Sequence, residues 1–434
     1  MKKTLCSLML ICLALATPGI AQTNSTTPAV LTLADAEKLA LQNHPQIAAA
    51  NYRALAAQEV VTETCAGFFP TINAYGNAVG AESEDARIMA GGINNPSIYD
   101  RVAGGLAANL LIFDFGRTAN LTASSKFQAQ AENQNASATR EQVLLQVNTG
   151  YFNALAAQVV LRVAQQTVDT RQLLLDQVTL LASNKLKSAL DVSFARVAVQ
   201  ESKLLQQKAQ NDADDAMTSL STALGYRDPR PFQLAEAPPA ALTGTNDVSQ
   251  LVEIALAERP ELLSLRNERD AAQQFAKAQR DARLPVISAV GMIGDSPSHD
   301  THLPDNYEVG GIQLSLPLFA GGLYMARQHE AELKAQSDGE LSRALEDNIV
   351  RDVHIAWLNV NTAMEQLRTT EQLVRNAAEA SDLAQARYQI GSSSIVELSQ
   401  AQLSLTSAQI AEANARYNIL IQQANLSYQT GVLR

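Results

Sequence analysis

The sequence predicts a mostly helical fold in which two long α-helical hairpins are each preceded by a pair of β-strands. Three observations support this prediction: a repeat of about 200 residues, proline-free tracts rich in helix-forming residues, and short alternating segments before each tract. A unit of this length is too long for a solenoid repeat. It indicates a duplicated, domain-sized module that builds one pseudo-symmetric body.

The repeat is visible as matching residues at two constant spacings. At an offset of 215 residues, His44-Pro45 corresponds to Arg259-Pro260. Further along the offset is 206, and the matching pairs are Gly104 and Gly310, Phe113 and Phe319, Gly116 and Gly322, and Gly225 and Gly431. We predict a first repeat over residues 22–226 and a second over 247–434, each with a helix, a strand pair and a long helical hairpin. The proline-rich stretch 227–246 is the predicted linker, and 22–30 a disordered terminus.

Residues 1–21 have the layout of a signal peptide. Lys2-Lys3 supply the charged start, an apolar run follows, and Gly19-Ile20-Ala21 is a cleavage site of small residues. A membrane anchor helix is the alternative, but the apolar run is too short to span a bilayer. The layout therefore predicts export.

Composition and motifs disfavour several other functions. The net charge of −11 argues against a nucleic-acid partner, because such binding depends on cationic side chains that neutralise phosphates. His299 and His302 lie in a polar stretch that offers no helix to fix a metal geometry, so we interpret them as solvated loop residues. No phosphate-binding loop, zinc motif or nucleophile elbow is present. We expect no cofactor and no enzymatic activity.

The helical tracts carry a heptad seam that recurs in both copies. In the second copy it consists of Leu398, Ala401, Leu405, Ala408, Glu412, Ala415, Ile419, Gln422 and Leu426. At an offset of 206 the first copy has Val192, Ala195, Val199, Ser202, Gln206, Ala209, Ala213, Ala216 and Leu220. One break, at 183–188 in the first copy and at 388–394 in the second, divides each tract. Each tract is therefore predicted to be a hairpin of long helices.

Two strand-like segments precede each hairpin, and polar loops over 81–99 and 295–306 join them. Alternation of apolar and polar residues is clear at Thr71–Tyr75 and Ile312–Leu316, and weaker in the other two segments. A small soluble sheet is one interpretation. The export signal favours the other, in which the strands cross a membrane.

Four such strands cannot close on themselves, and an open edge in lipid leaves backbone groups unsatisfied. Two chains would supply eight strands, whose barrel is filled by its own side chains. Three chains would supply twelve, enough for an open lumen. The predicted fold class is therefore mostly α, with hairpins that form a trimeric α-barrel and four strands per chain that form a 12-stranded trimeric membrane β-barrel.

The strand-to-helix segments resemble those of a known family. Leu111–Gly116 and Pro317–Gly322, together with Ala40-Leu41, His44–Ile47 and the turn from Tyr388 to Gly391, are similar to motifs of the TolC-like outer-membrane efflux proteins. The resemblance covers nearly all of the chain beyond the signal. It implies a homotrimer that contacts outer-membrane lipid and extends into the periplasm.

The resemblance also implies a function and partners. Channels of this kind meet a periplasmic adaptor (membrane fusion) protein and an inner-membrane transporter of the RND, ABC or MFS type. They serve as the passive exit duct of tripartite efflux or type I secretion systems. An exported coiled-coil scaffold and the periplasmic adaptor itself are the alternatives. The substrate, whether drug, metal ion or polypeptide, stays open.

The resemblance suggests a gate at the periplasmic end. Asp191 and Tyr388 match an Asp and a Tyr that bond each other in the family, and Glu397 matches an acid that rings the aperture. Ser393 stands where the family has an Arg that completes the lock, and Gln400 where it has a second acid. Lys185 and Lys187 are candidate replacements for the missing cation. The alternatives are a helix-terminal acid for Asp191 and ordinary packing for Tyr388.

The two hairpin turns are predicted to dock the adaptor. The first turn contains Asn184, Lys185 and Leu186, and the second contains Ile390, Gly391 and Ser392. Gly391 matches the family's turn glycine, whereas the first copy has Lys185 at the corresponding position. The two turns are therefore expected to differ chemically.

Overall fold

The computed structural model of the chain describes residues 30–79, 101–236, 247–298 and 305–433. The predicted signal peptide, the whole predicted loop 81–99, and His299 and His302 lie outside these residues. The helices are α1 (Leu33–Asn43), α2 (Pro45–Cys65), α3 (Arg117–Ser183), α4 (Ala189–Ala223), α5 (Val248–Glu258), α6 (Pro260–Asp281), α7 (Leu323–Gln389) and α8 (Ile395–Gln429). The strands are β1 (Val30–Leu31), β2 (Thr71–Val79), β3 (Arg101–Phe113), β4 (Gln233–Leu234), β5 (Val286–Ser298) and β6 (Asn306–Ser315).

The duplication holds to the residue in the long helices. α3 and α7 each have 67 residues, and α4 and α8 each have 35. All nine predicted seam positions of each copy are buried or half-buried, as a heptad packed against neighbouring helices requires. Within the described residues, none of the helices combines the length and the apolar character needed to cross a membrane.

The helices form a wall with a defined order. In the half nearer the strands, α3 packs between α2 and α6, and α6 packs against α7. In the half nearer the turns, α4 and α8 take the places of α2 and α6. One flank of the wall is therefore α2 and α4, and the other is α7. Both flanks expose large apolar side chains, among them Phe194 and Leu204 on α4 and Leu341 and Leu358 on α7.

The four long strands form one antiparallel sheet in the order β2-β3-β5-β6. β5 runs on to Ser298 and β6 begins at Asn306, so the predicted loop 295–306 is wrong at its ends: Asp295 still pairs with Asn306. One face carries the large apolar side chains Ile72, Leu106, Leu110, Ile293, Ile312 and Leu314. The other, the polar face, carries Thr71, Asn73, Asn77, Asn109, Ser288 and Gln313, with Val290, Met292 and Val309 among them. Glu308 is an exposed acid on the apolar face. A sheet with one largely apolar and one largely polar face is what a membrane barrel needs.

A joint connects each hairpin to the helices that begin its repeat. α1 and α2 meet at His44, and α4 ends beside this junction, where Gly225 adopts a φ of +84°. A Cβ on Gly225 would lie 2.9 Å from the Asn43 backbone. The second repeat is built alike, since a Cβ on Gly431 would lie 3.0 Å from the backbone of Arg259. The two repeated glycines thus allow the helices to touch at these joints.

A small core beside the first joint includes two strands that the sequence did not predict. β1 pairs in parallel with β4, within the expected disordered terminus and linker. Tyr151, 1% exposed, lies against them, and its hydroxyl is 2.9 Å from the carbonyl oxygen of Leu31 and 2.8 Å from that of Ala235. The expectation of disorder is therefore wrong at Val30, and part of the linker is packed structure.

Candidate functional site

The two hairpin turns share one backbone design. At the first, Leu186 N–H donates to the Leu181 carbonyl and Lys185 N–H to that of Ala182. The second repeats these bonds, from Ser392 N–H to Arg387 and from Gly391 N–H to Tyr388. This pattern is a Schellman motif, which places one residue in the left-handed region. Lys185, with a φ of +63°, and Gly391, with a φ of +76°, take that position.

The six predicted docking residues are all exposed at these turns, and Ile390 is 80% exposed. They are Asn184, Lys185, Leu186, Ile390, Gly391 and Ser392. Their exposure leaves them free to meet another protein, while their docking role stays a prediction.

A capped helix starts after each turn. Ser188 caps α4, and its hydroxyl and backbone N–H both donate to Asp191, at 2.7 and 2.9 Å. Asp191 N–H donates back to the Ser188 hydroxyl, which completes a capping box. Ser394 caps α8 by accepting from Glu397 N–H at 3.3 Å. Asp191 thus has the role of a helix-terminal acid, which the sequence left as the alternative.

Tyr388 lies in an apolar cluster that joins the two hairpins near their turns. The cluster consists of Leu174, Val178, Ala195, Ala384, Tyr388, Ile395 and Leu398. Tyr388 is 6% exposed, and its hydroxyl has no hydrogen-bond partner among the described residues. The expected bond between Asp191 and Tyr388 is therefore not formed, and the Asp191 carboxylate accepts from Ser188 through Oδ2.

The cation that contacts Tyr388 comes from the first hairpin. Lys187 Nζ lies 4.0 Å from the centroid of the Tyr388 ring, within cation–π range. Of the two candidate lysines, Lys187 therefore takes a place at this contact, whereas Lys185 lies exposed in the turn. The contact joins the end of one hairpin to the end of the other.

The electrostatics follow from these contacts. Hydrogen bonds from Ser188, helped by the charge of Lys187, hold the pKa of Asp191 below its usual value. Burial raises the pKa of Tyr388, and the negative charge of Asp191 adds to this effect. Asp191, Lys187 and Tyr388 thus influence one another electrostatically.

Glu397 is tied by an arginine that the sequence analysis missed. Arg387 Nη1 lies 2.8 Å from Glu397 Oε1, across the second turn. The family's Arg position, Ser393, is half-buried, and its hydroxyl lacks a partner among the described residues. Gln400 is exposed. The sequence did contain a signal for this ion pair. Arg387 lies in the last turn of α7, and Glu397, ten positions later, lies in the first turn of α8.

Buried polar atoms without partners collect at this end of the second hairpin. Within the described residues there are five such side-chain atoms, and four belong to Tyr388, Ser393, Ser399 and Gln402. Buried polar groups normally have hydrogen-bond partners, so each of these raises the free energy of this arrangement. These four polar groups are therefore available to bond water or a neighbouring chain at this end of the second hairpin.

Comparison with known proteins identifies the family. A family model described as "Outer membrane efflux protein" matches residues 37–226 and 251–432, which coincide closely with the two repeats. The chain belongs to the outer membrane efflux protein family. The predicted resemblance is thereby confirmed.

Curated relatives span most of the chain. The outer membrane protein TolC of Escherichia coli (strain K12) is 26% identical over 366 residues, which are 79% of this chain and 71% of the relative. The alkaline protease secretion protein AprF of Pseudomonas aeruginosa is 25% identical over 426 residues, 93% and 85% of the two chains.

Solved structures share the fold. The VceC outer membrane protein of Vibrio cholerae has a TM-score of 0.77 at 19% identity and covers 92% of this chain and 96% of its own. The open-state MtrE channel of Neisseria gonorrhoeae has a TM-score of 0.76 at 21% identity, with 93% and 89% coverage. The predicted fold class of the chain, mostly α with two long helical hairpins and four strands, is confirmed.

Proposed function

We propose that this chain is the outer-membrane exit duct of a tripartite exporter and passively conducts solutes or polypeptides out of the cell. Its family consists of outer-membrane channels, which are transport ducts and not enzymes. Named relatives include both an alkaline protease secretion protein and a probable efflux pump outer membrane protein. Efflux and type I secretion are therefore both compatible with this chain.

One observation carries the proposal: a two-faced sheet with two free edges is attached to two helical hairpins. β2 and β6 are the outer strands, and each has one unpaired edge. Pairing β6 of one chain with β2 of the next closes twelve strands around a lumen lined by the polar face. The threefold rotation that pairs these strands also brings α7 of one chain against α2 and α4 of the next, so that the exposed flanks of the helical wall are covered. The homotrimer is thus closed in both halves.

The alternatives fit the chain less well. A coiled-coil scaffold needs the heptad seams but gives no role to a sheet with an apolar exposed face. A periplasmic adaptor carries one helical hairpin, whereas this chain has two. The adaptor is better placed as a partner at the exposed turns, with an inner-membrane transporter beneath it.

Native mass measurement and planar-bilayer recording test this function together. In detergent we expect particles of three chains, and in bilayers we expect stepwise conductance from the same preparation. A stable monomer would contradict the barrel argument. Trimers without conductance would contradict the duct.

The docking role of the turns is tested by charge substitution at the apex. Ile390→Asp and Leu186→Asp each place a carboxylate on one kind of turn. We expect loss of export without loss of trimer or membrane insertion, and the two variants reveal which turn contributes more. Ile254→Asp, at an exposed isoleucine on α5 away from the turns, is the matched control. Undiminished export in both turn variants would argue against docking there.

A further inference from the structure

Two tyrosines on the outer strands of the sheet reach across it and meet. Tyr75 on β2 pairs with Gly105 on β3, Gly105 with Gly294 on β5, and Gly294 with Tyr307 on β6. The four residues therefore form one row across the sheet. The hydroxyl groups of Tyr75 and Tyr307 are hydrogen-bonded to each other above the two middle strands.

The two glycines of the row make space for the rings. A Cβ on Gly105 would lie 2.9 Å from Tyr75 Oη, and one on Gly294 would lie 2.2 Å from Tyr307 Oη. A side chain at Gly294 would displace Tyr307, and one at Gly105 would meet the backbone of Ile293 and Gly294 as well as Tyr75. Glycine inside a strand commonly marks such a close approach. The row is thus a fitted arrangement in which both aromatic side chains bend over the middle strands.

The tyrosines lie on the polar face of the sheet. Tyr75 shares its face with Asn73 and Asn77, at alternate positions of β2. The opposite face carries Ile72 and Ile312, which are 67% and 76% exposed. In a membrane barrel the apolar face contacts lipid and the polar face lines the lumen. The tyrosine pair therefore projects into the lumen.

Barrel geometry shows how far this narrows the channel. Twelve strands spaced about 4.8 Å apart and tilted by about 40° enclose a backbone radius of roughly 12 Å. A tyrosine side chain is about half as long as that radius, but each ring lies across a middle strand and narrows the lumen by less than its own length. Three pairs at one level place six aromatic side chains in the lumen.

We propose that the three Tyr75–Tyr307 pairs form a second constriction, inside the membrane-spanning part of the channel. Exported molecules contact the tyrosine rings and hydroxyl groups as they pass. The inference rests on the proposed duct. The constriction is uncharged and selects by size and by aromatic or hydrogen-bonding contact. The turn end of the helices, by contrast, carries exposed charged groups such as Glu397 and Arg387.

The test uses a cysteine placed beyond the proposed constriction. In a Cys65→Ser parent chain, Asn109→Cys lies on the same face as the tyrosines, opposite Thr71 and four residues nearer the helices than Gly105. Intact cells are treated from outside with a small maleimide or with a bulky polyethylene-glycol maleimide. We expect the small reagent to label Asn109→Cys and the bulky one to fail.

Removing the tyrosines should open the path. With Tyr75→Ala and Tyr307→Ala added, we expect the bulky reagent to label Asn109→Cys as fully as the small one does. Tyr75→Phe with Tyr307→Phe keeps the rings and should still exclude it. Ile72→Cys, on the lipid face, should resist both reagents. If the double alanine variant fails to assemble, Tyr75→Ala alone serves, with partial labelling expected.

Three results would overturn the inference. They are labelling of Asn109→Cys by the bulky reagent with both tyrosines present, continued exclusion after both are removed, and failure of the small reagent to reach Asn109→Cys. The conductance of the parent trimer in bilayers is measured as well, so that failure of the duct proposal can be distinguished from failure of the constriction proposal. A non-conducting parent contradicts the duct itself, whereas the labelling pattern of a conducting one decides the constriction.

Discussion

The contact between Lys187 and Tyr388 makes a specific prediction about closure. It joins the two hairpins of one chain at their ends, where Lys187 Nζ lies 4.0 Å from the ring centroid. Lys187→Met removes the charge and keeps a side chain of similar length. The apolar cluster around Tyr388 should therefore remain packed while the cation–π attraction is lost.

The size of the effect follows from the surroundings of the contact. Lys187 is half-buried and Tyr388 is buried, so one contact contributes about 1 kcal/mol, between the exposed and the desolvated values. If the three chains of a trimer open together, closure loses about 3 kcal/mol. Because 1.36 kcal/mol corresponds to a factor of ten, the ratio of closed to open channels should fall by roughly 150-fold.

Single-channel recording in planar bilayers measures this ratio directly as the open probability. Lys185→Met is the matched control, since it removes the same charge from the neighbouring turn, where Lys185 lies exposed. We expect Lys187→Met to raise the open probability and Lys185→Met to leave it near the wild-type value. Equal open probabilities for Lys187→Met and the wild type would refute the reasoning. An equal rise in both variants would show that total charge, and not the ring contact, holds the channel closed.

Three further predictions concern the same end of the chain. Asp191→Ala removes the capping box and should destabilise the start of α4 by about 1 kcal/mol at neutral pH, measured by hydrogen exchange. Folding lowers the Asp191 pKa, so the ionised carboxylate stabilises the wild type relative to Asp191→Ala at any pH above the pKa of aspartate in an unfolded chain. This difference in stability should vanish as the pH falls through the lower pKa that Asp191 has in the folded chain. Glu397→Gln breaks an exposed ion pair with Arg387, so we expect a stability change below about 1 kcal/mol but weaker block by multivalent cations in bilayers; unchanged block would place Glu397 away from the aperture. Lys185→Gly relieves a left-handed residue and, after the entropy cost of glycine, should stabilise the first turn by up to about 1 kcal/mol in chemical unfolding; destabilisation would show that the lysine side chain supports the turn.

The large-scale fold could be read from the sequence because it depends on periodic patterns. The seam positions, the breaks and the strand pairs each repeat at a constant spacing, and local propensity agrees with them. The helix lengths of 67 and 35 residues in both copies confirm that register. β1 and β4 escaped notice because a two-residue strand has no period to detect.

The side-chain contacts were less predictable because they depend on competition in space. Asp191 had two possible partners, and the local bond to Ser188 three residues away is formed in place of the distant one to Tyr388. Arg387 lies at a position that the family motif does not mark. Tyr75 and Tyr307 are separated by 232 residues, so their contact becomes visible only once the strands are paired.

The joints at Gly225 and Gly431 make each of α4 and α8 an arm whose pivot lies level with the middle of the longer helix beside it, as the packing of Leu220 against Gly150 of α3 shows. α4 and α8, at 35 residues, are each about 52 Å long. A tilt of only about 10° about the pivot would carry the far end of such a helix through roughly 9 Å. A small change of angle at the joint is thereby converted into a displacement at the turns larger than the spacing between strands.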